Sequence, residues 1–270
     1  MKSIDVIIPC YNAENTLARA IDSVLVQPEL GCLWLVDDAS ADGTASLIRQ
    51  WQQRHPQLIR SEFLPTNRGP AVARNWAALM SSRNHIAFLD ADDAYQPHAL
   101  QAASAVFRFR PQTGLLRLPV KGHNIPERYR EHEKFAVAWR TFEMITATNT
   151  VFNRAYFLAC GGFPVDALFR QLGGEDGALG LATIESCMVA TLFDEAGMPD
   201  IGVDFYGHDG MYVRKLLDAM LYGQKREECD DTAMQQADAV TQSIVQRLHD
   251  LHEILAYPHP GKQPLKLFTD

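Results

Sequence analysis

The chain has 270 residues, of which 47% are apolar, and carries a formal net charge of −8 at pH 7. This length allows one large domain or two small ones around a sizeable core, and the composition excludes a disordered or collagen-like chain. The acidic balance disfavours nucleic acid as a partner, and no apolar run approaches the ~20 residues that span a bilayer, so we expect at most peripheral membrane contact.

The first 110 residues alternate between predicted strands and predicted helices. Short β-branched runs predict buried parallel strands, and apolar positions three and four residues apart predict the helices between them. This alternation indicates an α/β fold whose mostly parallel sheet has helices on both faces and binds ligands at the carboxyl ends of its strands. The predicted strands cover residues 4–8, 33–36, 58–64 and 85–89, and the predicted helices cover residues 14–26, 40–53, 70–82 and 97–109.

The second half of the chain has a less regular pattern. The apolar stripe of its last predicted helix favours packing on the same domain, and a homodimer interface is the alternative. Trp139 could be a platform for a sugar ring or a packing residue, and packing is the simpler interpretation. We expect strands over residues 115–120 and 146–152, an exposed charged loop over residues 121–134, and helices over residues 173–188, 213–222 and 231–255.

The five cysteines show no pairing pattern. They stand at positions 10, 32, 160, 187 and 229, and no CxxC occurs. Scattered thiols in odd number predict a reducing compartment and argue against a zinc site. The chain also enters its first predicted strand at once, without room for a signal peptide, so we expect a cytoplasmic protein.

Polar clusters follow the predicted strands at their carboxyl ends. Asp90 and Asp92 supply two hard oxygen ligands for Mg²⁺ or Mn²⁺, although a solvated turn is the alternative. Asp38 can accept hydrogen bonds from a base or a ribose. Arg68 and Arg74 can pair with phosphate oxygens, or they can be surface charges.

In their order along the chain, these segments resemble family 2 glycosyltransferases of the GT-A fold. Each segment alone is a weak signal, but the set is specific and covers roughly residues 4–180. The matching segments are residues 7–14 (IIPCYNAE), 36–44 (VDDASADGT), 67–69 (NRG), 73–75 (ARN), 88–93 (FLDADD), 161–163 (GGF) and 174–176 (GED).

The resemblance implies an inverting transfer of a sugar from a nucleotide-diphosphate donor, most often a UDP-sugar, to a hydroxyl of a saccharide or glycoconjugate acceptor. It implies Mn²⁺ or Mg²⁺ as the cofactor. It also implies a GT-A domain over residues 1–212, with a nucleotide-binding half at 1–110 and an acceptor half at 111–212. A helical extension over residues 213–270 follows.

The resemblance also implies roles for individual residues. Asp176 matches the catalytic base, with Glu175 beside it; adjacent side chains on a helix point about 100° apart, so the two cannot share one role. Asp92 matches the direct metal ligand, Asp90 lies nearer the ribose or a water, and His208 loosely matches a further metal ligand. The residues that match donor-nucleotide positions are Pro9, Tyr11, Asn12, Glu14, Asp38, Arg68, Arg74 and Asp90.

The main rival hypothesis is a non-catalytic module of the same fold that only binds nucleotide sugars. A dinucleotide-dependent dehydrogenase is disfavoured because no GxGxxG follows the first predicted strand. The small residues 177–182 replace bulky residues that the family usually has after the catalytic base. We expect them to enlarge the acceptor cleft or to make room for another segment of the chain.

Overall fold

The computed structural model of the protein describes residues 4–186, 189–193, 200–208, 212–224 and 231–256. The strands in these residues are β1 (Ile4–Cys10), β2 (Leu30–Asp37), β3 (Ile59–Phe63), β4 (His85–Phe88), β5 (Ala94–Tyr95), β6 (Leu115–Arg117), β7 (Val120–His123), β8 (Thr150–Asn153), β9 (Val189–Thr191) and β10 (Val203–Tyr206). The helices are α1 (Leu17–Leu25), α2 (Thr44–Arg54), α3 (Pro70–Met80), α4 (Ala99–Phe109), α5 (Glu127–Arg130), α6 (Phe135–Ile145), α7 (Arg154–Cys160), α8 (Ala167–Leu172), α9 (Glu175–Ser186), α10 (Tyr212–Tyr222) and α11 (Asp231–Ala256).

The main sheet has seven strands in the order β3-β2-β1-β4-β8-β6-β9. The first four strands of the chain are parallel, and only β8 runs against both of its neighbours. The predicted mostly parallel sheet is therefore confirmed. Cys10 pairs with Asp37, and Asp37 pairs with Phe63, so β1, β2 and β3 end level with one another. The loops that follow these strands therefore meet along one edge of the sheet.

Helices cover both faces of this sheet, as the alternating pattern predicts. Val6 and Ile8 belong to the core under α1, α2 and α4, whereas Ile7 belongs to the core under α3, α7 and α9. All three side chains are fully buried. A strand that is buried on both faces has no solvent-facing side, and this explains the apolar run of β1 from Val6 to Cys10.

A smaller sheet of three strands, in the order β5-β10-β7, carries a third core. The expectation of an exposed loop over residues 121–134 is wrong, because this segment contributes β7 and α5, and Tyr129 is fully buried. Trp139 packs in the same core, and its Nε1–H donates to the carbonyl of Val120 at 3.0 Å. Trp139 is therefore a packing residue of this core.

The last helix, α11, packs on α9, α7 and α8 of the same chain. Ile244 and Leu248 on its apolar stripe are buried in the second core, which confirms the expected packing on the same domain. A homodimer and the domain boundary after residue 212 stay predictions. Cys187, Cys229, and the predicted helix end at residue 188 lie outside the described residues. In the described part of the chain, no helix is both long and apolar enough to cross a membrane.

Candidate active site

A cleft of about 770 Å³ opens where β1, β2 and β4 end. It is bounded on its other side by α8, by the Gly173–Gly174 turn and by the start of α9. All but two of the predicted site residues line it. Those that do are Pro9, Tyr11, Asn12, Asp38, Arg74, Asp90, Asp92, Glu175, Asp176 and His208. The structure therefore brings together side chains that lie up to 199 positions apart in the sequence.

Glu14 is one of the two exceptions, and it holds the loops beside the cleft together. Its Oε2 accepts a hydrogen bond from the Gly43 N–H at 2.7 Å, and Asn12 Oδ1 accepts one from the Ala41 N–H at 2.9 Å. These bonds join the loop after β1 to the loop after β2. Asn12 and Ala39 in these loops have positive φ angles of 48° and 58°, a conformation that is costly for alanine. The two polar side chains therefore support a strained rim.

Asp38 is almost completely buried, and its carboxylate binds the loop before α3. Its two oxygens accept hydrogen bonds from the N–H groups of Arg68 and Gly69, both at 2.7 Å. Gly69 has a φ of 88°, which favours glycine. Arg68, the second exception, lines a small neighbouring cavity together with Arg170 instead of the cleft. Contact of Asp38 with a nucleotide base stays a prediction.

Arg74 is a buried cation between two carboxylates. Its Nη2 lies 2.6 Å from Asp90 Oδ1, and its Nη1 lies 3.2 Å from Glu175 Oε1. Its guanidinium also lies over the ring of Phe163, 5.1 Å from the centroid. Arg74 therefore ties the turn after β4 and the first half of α3 to the start of α9, and it neutralises Glu175.

Asp176 differs sharply from its neighbour Glu175. In the described part of the chain, the hydrogen bond that its carboxylate makes comes from the Gly177 N–H, at 2.9 Å. Burial raises the pKa of Asp176 to about 7, the neighbouring Glu175 carboxylate adds to that rise, and Arg74 opposes it. A carboxyl group with this pKa exchanges a proton near neutral pH, as a general base must.

The acidic turn after β4 converges with the segment after β10. Asp92 Oδ2 lies 3.1 Å from His208 Nε2. Burial, together with the charge of Asp90, raises the pKa of Asp92. Asp209, the next residue along the chain, lies outside the described residues. Two carboxylates and an imidazole thus approach one another at the floor of the cleft.

This set of donors fits a cation that a diphosphate helps to bind. Among the described residues, no group of three or more His, Cys, Asp or Glu side chains is arranged to enclose a metal ion by itself. Mg²⁺ and chemically similar ions usually keep waters and bind through one or two carboxylates and the phosphates of a substrate. Asp92 and His208, with Asp90 beside them, fit that pattern.

Sequence reasoning missed several residues that support the cleft. Arg19 donates to the carbonyl of Asp92, and its guanidinium lies 3.7 Å from the ring centroid of Tyr206. Arg170 lines the cleft from α8 and donates to the carbonyl of Asn67. Single arginines on helices carry no local pattern that would distinguish them from solvated surface charges.

Comparisons with known proteins agree with this geometry. The profile described as "Glycosyl transferase family 2" matches residues 5–165, which is more than half of the chain. The protein therefore belongs to glycosyltransferase family 2.

Two curated relatives show how far the likeness in sequence extends. The succinoglycan biosynthesis protein ExoU of Rhizobium meliloti is 41% identical over 95 residues, which are 35% of this chain and 28% of that protein. The Escherichia coli UDP-Glc:alpha-D-GlcNAc-diphosphoundecaprenol beta-1,3-glucosyltransferase WfgD is 36% identical over 99 residues, which are 36% of this chain and 38% of that protein. The aligned part thus spans about a third of the length of these relatives.

Two solved structures share the fold over nearly the whole chain. S. aureus TarS in complex with UDP-GlcNAc has a TM-score of 0.60 at 18% identity, covering 94% of this chain and 74% of that one. The mannosyltransferase PcManGT from Pyrobaculum calidifontis, in complex with GDP-Man and Mn²⁺, has a TM-score of 0.60 at 19% identity, with coverages of 96% and 76%. The predicted GT-A fold is confirmed.

Proposed function

We propose that the protein is a metal-assisted, inverting glycosyltransferase that uses a nucleotide-diphosphate sugar, with a UDP-sugar favoured. The observation that carries this proposal is the contrast between Glu175 and Asp176 at the start of α9. Arg74 neutralises Glu175, while Asp176 faces the cleft with a pKa raised to about 7. A protein that only binds nucleotide sugars does not require a carboxyl group that exchanges a proton near neutral pH. The presence of such a group therefore favours a catalytic role.

The carboxyl ends of β1 and β2 are the proposed binding site for the nucleoside. Pro9, Tyr11 and Asp38 line this part of the cleft, and the ring of Tyr11 is half exposed, so a face is available to a base. Bound nucleotides in the two similar structures are UDP-GlcNAc and GDP-Man, and the name of the E. coli relative specifies UDP-Glc. These names favour uridine but keep guanosine as the second candidate.

The proposed reaction is one in-line displacement at the anomeric carbon of the donor sugar. The acceptor oxygen forms the new bond to that carbon, and the bond to the diphosphate oxygen breaks, so the nucleoside diphosphate leaves with the electron pair. The carboxylate of Asp176 takes the proton of the acceptor hydroxyl. Arg74 holds Asp90 and Glu175 in place and adds positive charge beside the leaving group.

Asp92 and His208, with Asp90 beside them, are the residues that would hold Mn²⁺ or Mg²⁺. When bound, such an ion stabilises the negative charge of the departing diphosphate. Burial and the neighbouring charge of Asp90 raise the pKa of Asp92. Two carboxylates this close repel each other, and a divalent cation between them would relieve that repulsion. The turn therefore favours binding of such an ion.

The proposed acceptor is a saccharide or glycoconjugate in polysaccharide or lipid-linked glycan synthesis. The names of ExoU and the E. coli relative describe such products for those proteins. In this chain, Phe169, Arg170 and the Gly173–Gly174 turn bound the cleft next to Asp176. Cys10 and Cys32 are free thiols, which supports the further proposal of a cytoplasmic protein.

The donor proposal is tested by thermal unfolding with UDP-, GDP-, dTDP- and CDP-sugars, each with Mn²⁺ and with EDTA. A ligand that binds only the folded state raises Tm by mass action. We expect a shift with one nucleotide class that is larger with Mn²⁺. No shift with any nucleotide at several millimolar would refute a donor site in this chain.

The catalytic proposal is tested by comparing Asp176→Asn with wild type in donor binding and in sugar transfer or donor hydrolysis. We expect unchanged nucleotide affinity and a loss of turnover of about 10²- to 10⁴-fold. Unchanged turnover of the variant would remove Asp176 from the mechanism, and a wild type that binds donor without turnover would favour the non-catalytic module. The anomeric configuration of the product, read by proton NMR, tests inversion.

A further inference from the structure

The two sides of the proposed metal site come from different sheets. The acidic turn that contains Asp92 follows β4 of the main sheet, whereas His208 follows β10 of the small sheet. Asp92 Oδ2 and His208 Nε2 nevertheless lie 3.1 Å apart. An interaction between the two sheets must therefore fix the position of the end of β10 relative to the acidic turn.

The backbone pairing of β5 with β10 supplies only part of that register. Val203 pairs with Tyr95 and Asp204 pairs with Ala94 in an antiparallel ladder. One step further, Asp93 would face Phe205. There the chain closes the acidic turn instead, since the Asp93 N–H donates to the carbonyl of Asp90 at 3.1 Å. The backbone ladder to β10 ends at this turn.

Beyond the last backbone pair, the side chain of Asp93 connects the acidic turn to β10. Its Oδ1 accepts a hydrogen bond from the Tyr206 N–H at 3.1 Å, two residues before His208. Its Oδ2 accepts the Thr148 hydroxyl at 2.8 Å, and that hydroxyl in turn accepts the Asp90 N–H at 3.2 Å. The Asp93 side chain is completely buried. One carboxyl group therefore joins β10, the acidic turn and the segment before β8.

We propose that Asp93 is a positioning residue that brings His208 to Asp92 and so completes the metal site. This inference rests on the proposed function, because it concerns the cation that the proposed function requires. Asp93 itself does not reach the cleft, since it is absent from the residues that line it. In this proposal it acts through the position of the Tyr206–His208 segment, so we expect its effect on the cation to depend on His208.

That dependence is measured by a double-mutant cycle on Mn²⁺ affinity. The free Mn²⁺ concentration is read by electron paramagnetic resonance with UDP present, using wild type, Asp93→Ala, His208→Ala and the double variant. Loss of a residue that orients a metal ligand weakens metal binding about 10- to 100-fold. We expect Asp93→Ala and His208→Ala each to weaken Mn²⁺ binding by about tenfold or more. The Mn²⁺ affinity of the double variant should be no lower than that of the more affected single variant, because both changes remove the same interaction.

Further variants separate positioning from loss of fold. Asp93→Asn keeps an acceptor for the Tyr206 N–H and an amide that can donate to Thr148, so we expect Mn²⁺ affinity within about threefold of wild type. Thr148→Val removes the hydroxyl that bonds Asp93 and Asp90, and it should weaken Mn²⁺ binding as Asp93→Ala does. Thr150→Val is the matched control, since that buried hydroxyl bonds only the Ala147 carbonyl within the described contacts and should leave Mn²⁺ affinity unchanged. If Asp93→Ala does not fold, the cycle is run with Thr148→Val.

Each outcome decides a separate point. Additive effects of Asp93→Ala and His208→Ala, or wild-type affinity in both Asp93→Ala and Thr148→Val, would overturn the positioning role while leaving the metal site intact. If Thr148→Val and Thr150→Val weaken Mn²⁺ binding equally, the loss of affinity reflects general destabilisation. That result would also overturn the positioning role of Asp93. A wild type that binds UDP but no Mn²⁺ would refute the metal in the proposed function, and the positioning role with it.

Discussion

Replacing Arg74 with methionine tests the electrostatic design of the cleft directly. Methionine has a similar length and apolar stem, but it leaves Asp90 and Glu175 without the cation that lies 2.6 and 3.2 Å from them. Removing one partner of a buried ion pair costs about 3–5 kcal/mol, because the remaining charge stays desolvated. For a chain of this size, that loss lowers Tm by roughly 6–20 °C.

The loss of stability should depend on pH in a defined direction. The pKa of Asp176 is raised from 3.8 to about 7 in the folded protein, so folding binds a proton between these values. The free energy of unfolding therefore falls as pH rises through this range. Arg74 holds that pKa down, and its removal raises the pKa further. We expect the deficit of Arg74→Met against wild type to be smaller at pH 5 than at pH 8, by about 1 kcal/mol or more.

The assay is urea unfolding followed by tryptophan fluorescence at both pH values. Arg83→Met is the matched control, since Arg83 is half exposed and its Nε lies 3.9 Å from Asp5 Oδ1. Asp5 is buried, but about half of the Arg83 side chain is in water, which screens its charge, so we expect Arg83→Met to cost about 1 kcal/mol or less. A deficit below about 1 kcal/mol for Arg74→Met at pH 8, or one that is the same at both pH values, would refute the reasoning.

Three further predictions concern catalysis, donor binding and packing. Turnover of the wild type should fall as pH drops below about 7, because Asp176 is then protonated, and Glu175→Gln should move this fall to lower pH, because the Glu175 charge contributes to the raised pKa of Asp176; a rate independent of pH from 5 to 8 would contradict it. Asp92→Ala should abolish the part of the Tm shift with UDP that depends on Mn²⁺, and a shift that stays sensitive to EDTA would exclude Asp92 as a ligand. Leu248→Ala should lower the free energy of unfolding by about 2–5 kcal/mol, whereas Met234→Ala on the exposed side of α11 should change it by less than about 0.5 kcal/mol; equal effects would contradict the packing of that helix.

Local sequence patterns predicted the half of the molecule in which neighbours in sequence are neighbours in space. The runs of β1 to β4 and the helices between them were located to within a few residues. Because these strands are parallel, their carboxyl ends all lie at the same edge of the sheet. Pro9, Asp38 and Asp90 could therefore be assigned to one cleft without coordinates.

Tertiary structure decided what distant residues do to one another. Arg74 and Glu175 are 101 positions apart, and their ion pair leaves Asp176 as the carboxyl group with the raised pKa. The same holds for the polar segment 121–134, where Tyr129 is buried only because α10 and β10 supply the other side of the core. Periodicity reports which face of an element is apolar, but burial, pairing and pKa depend on the neighbours that the whole fold brings to that face.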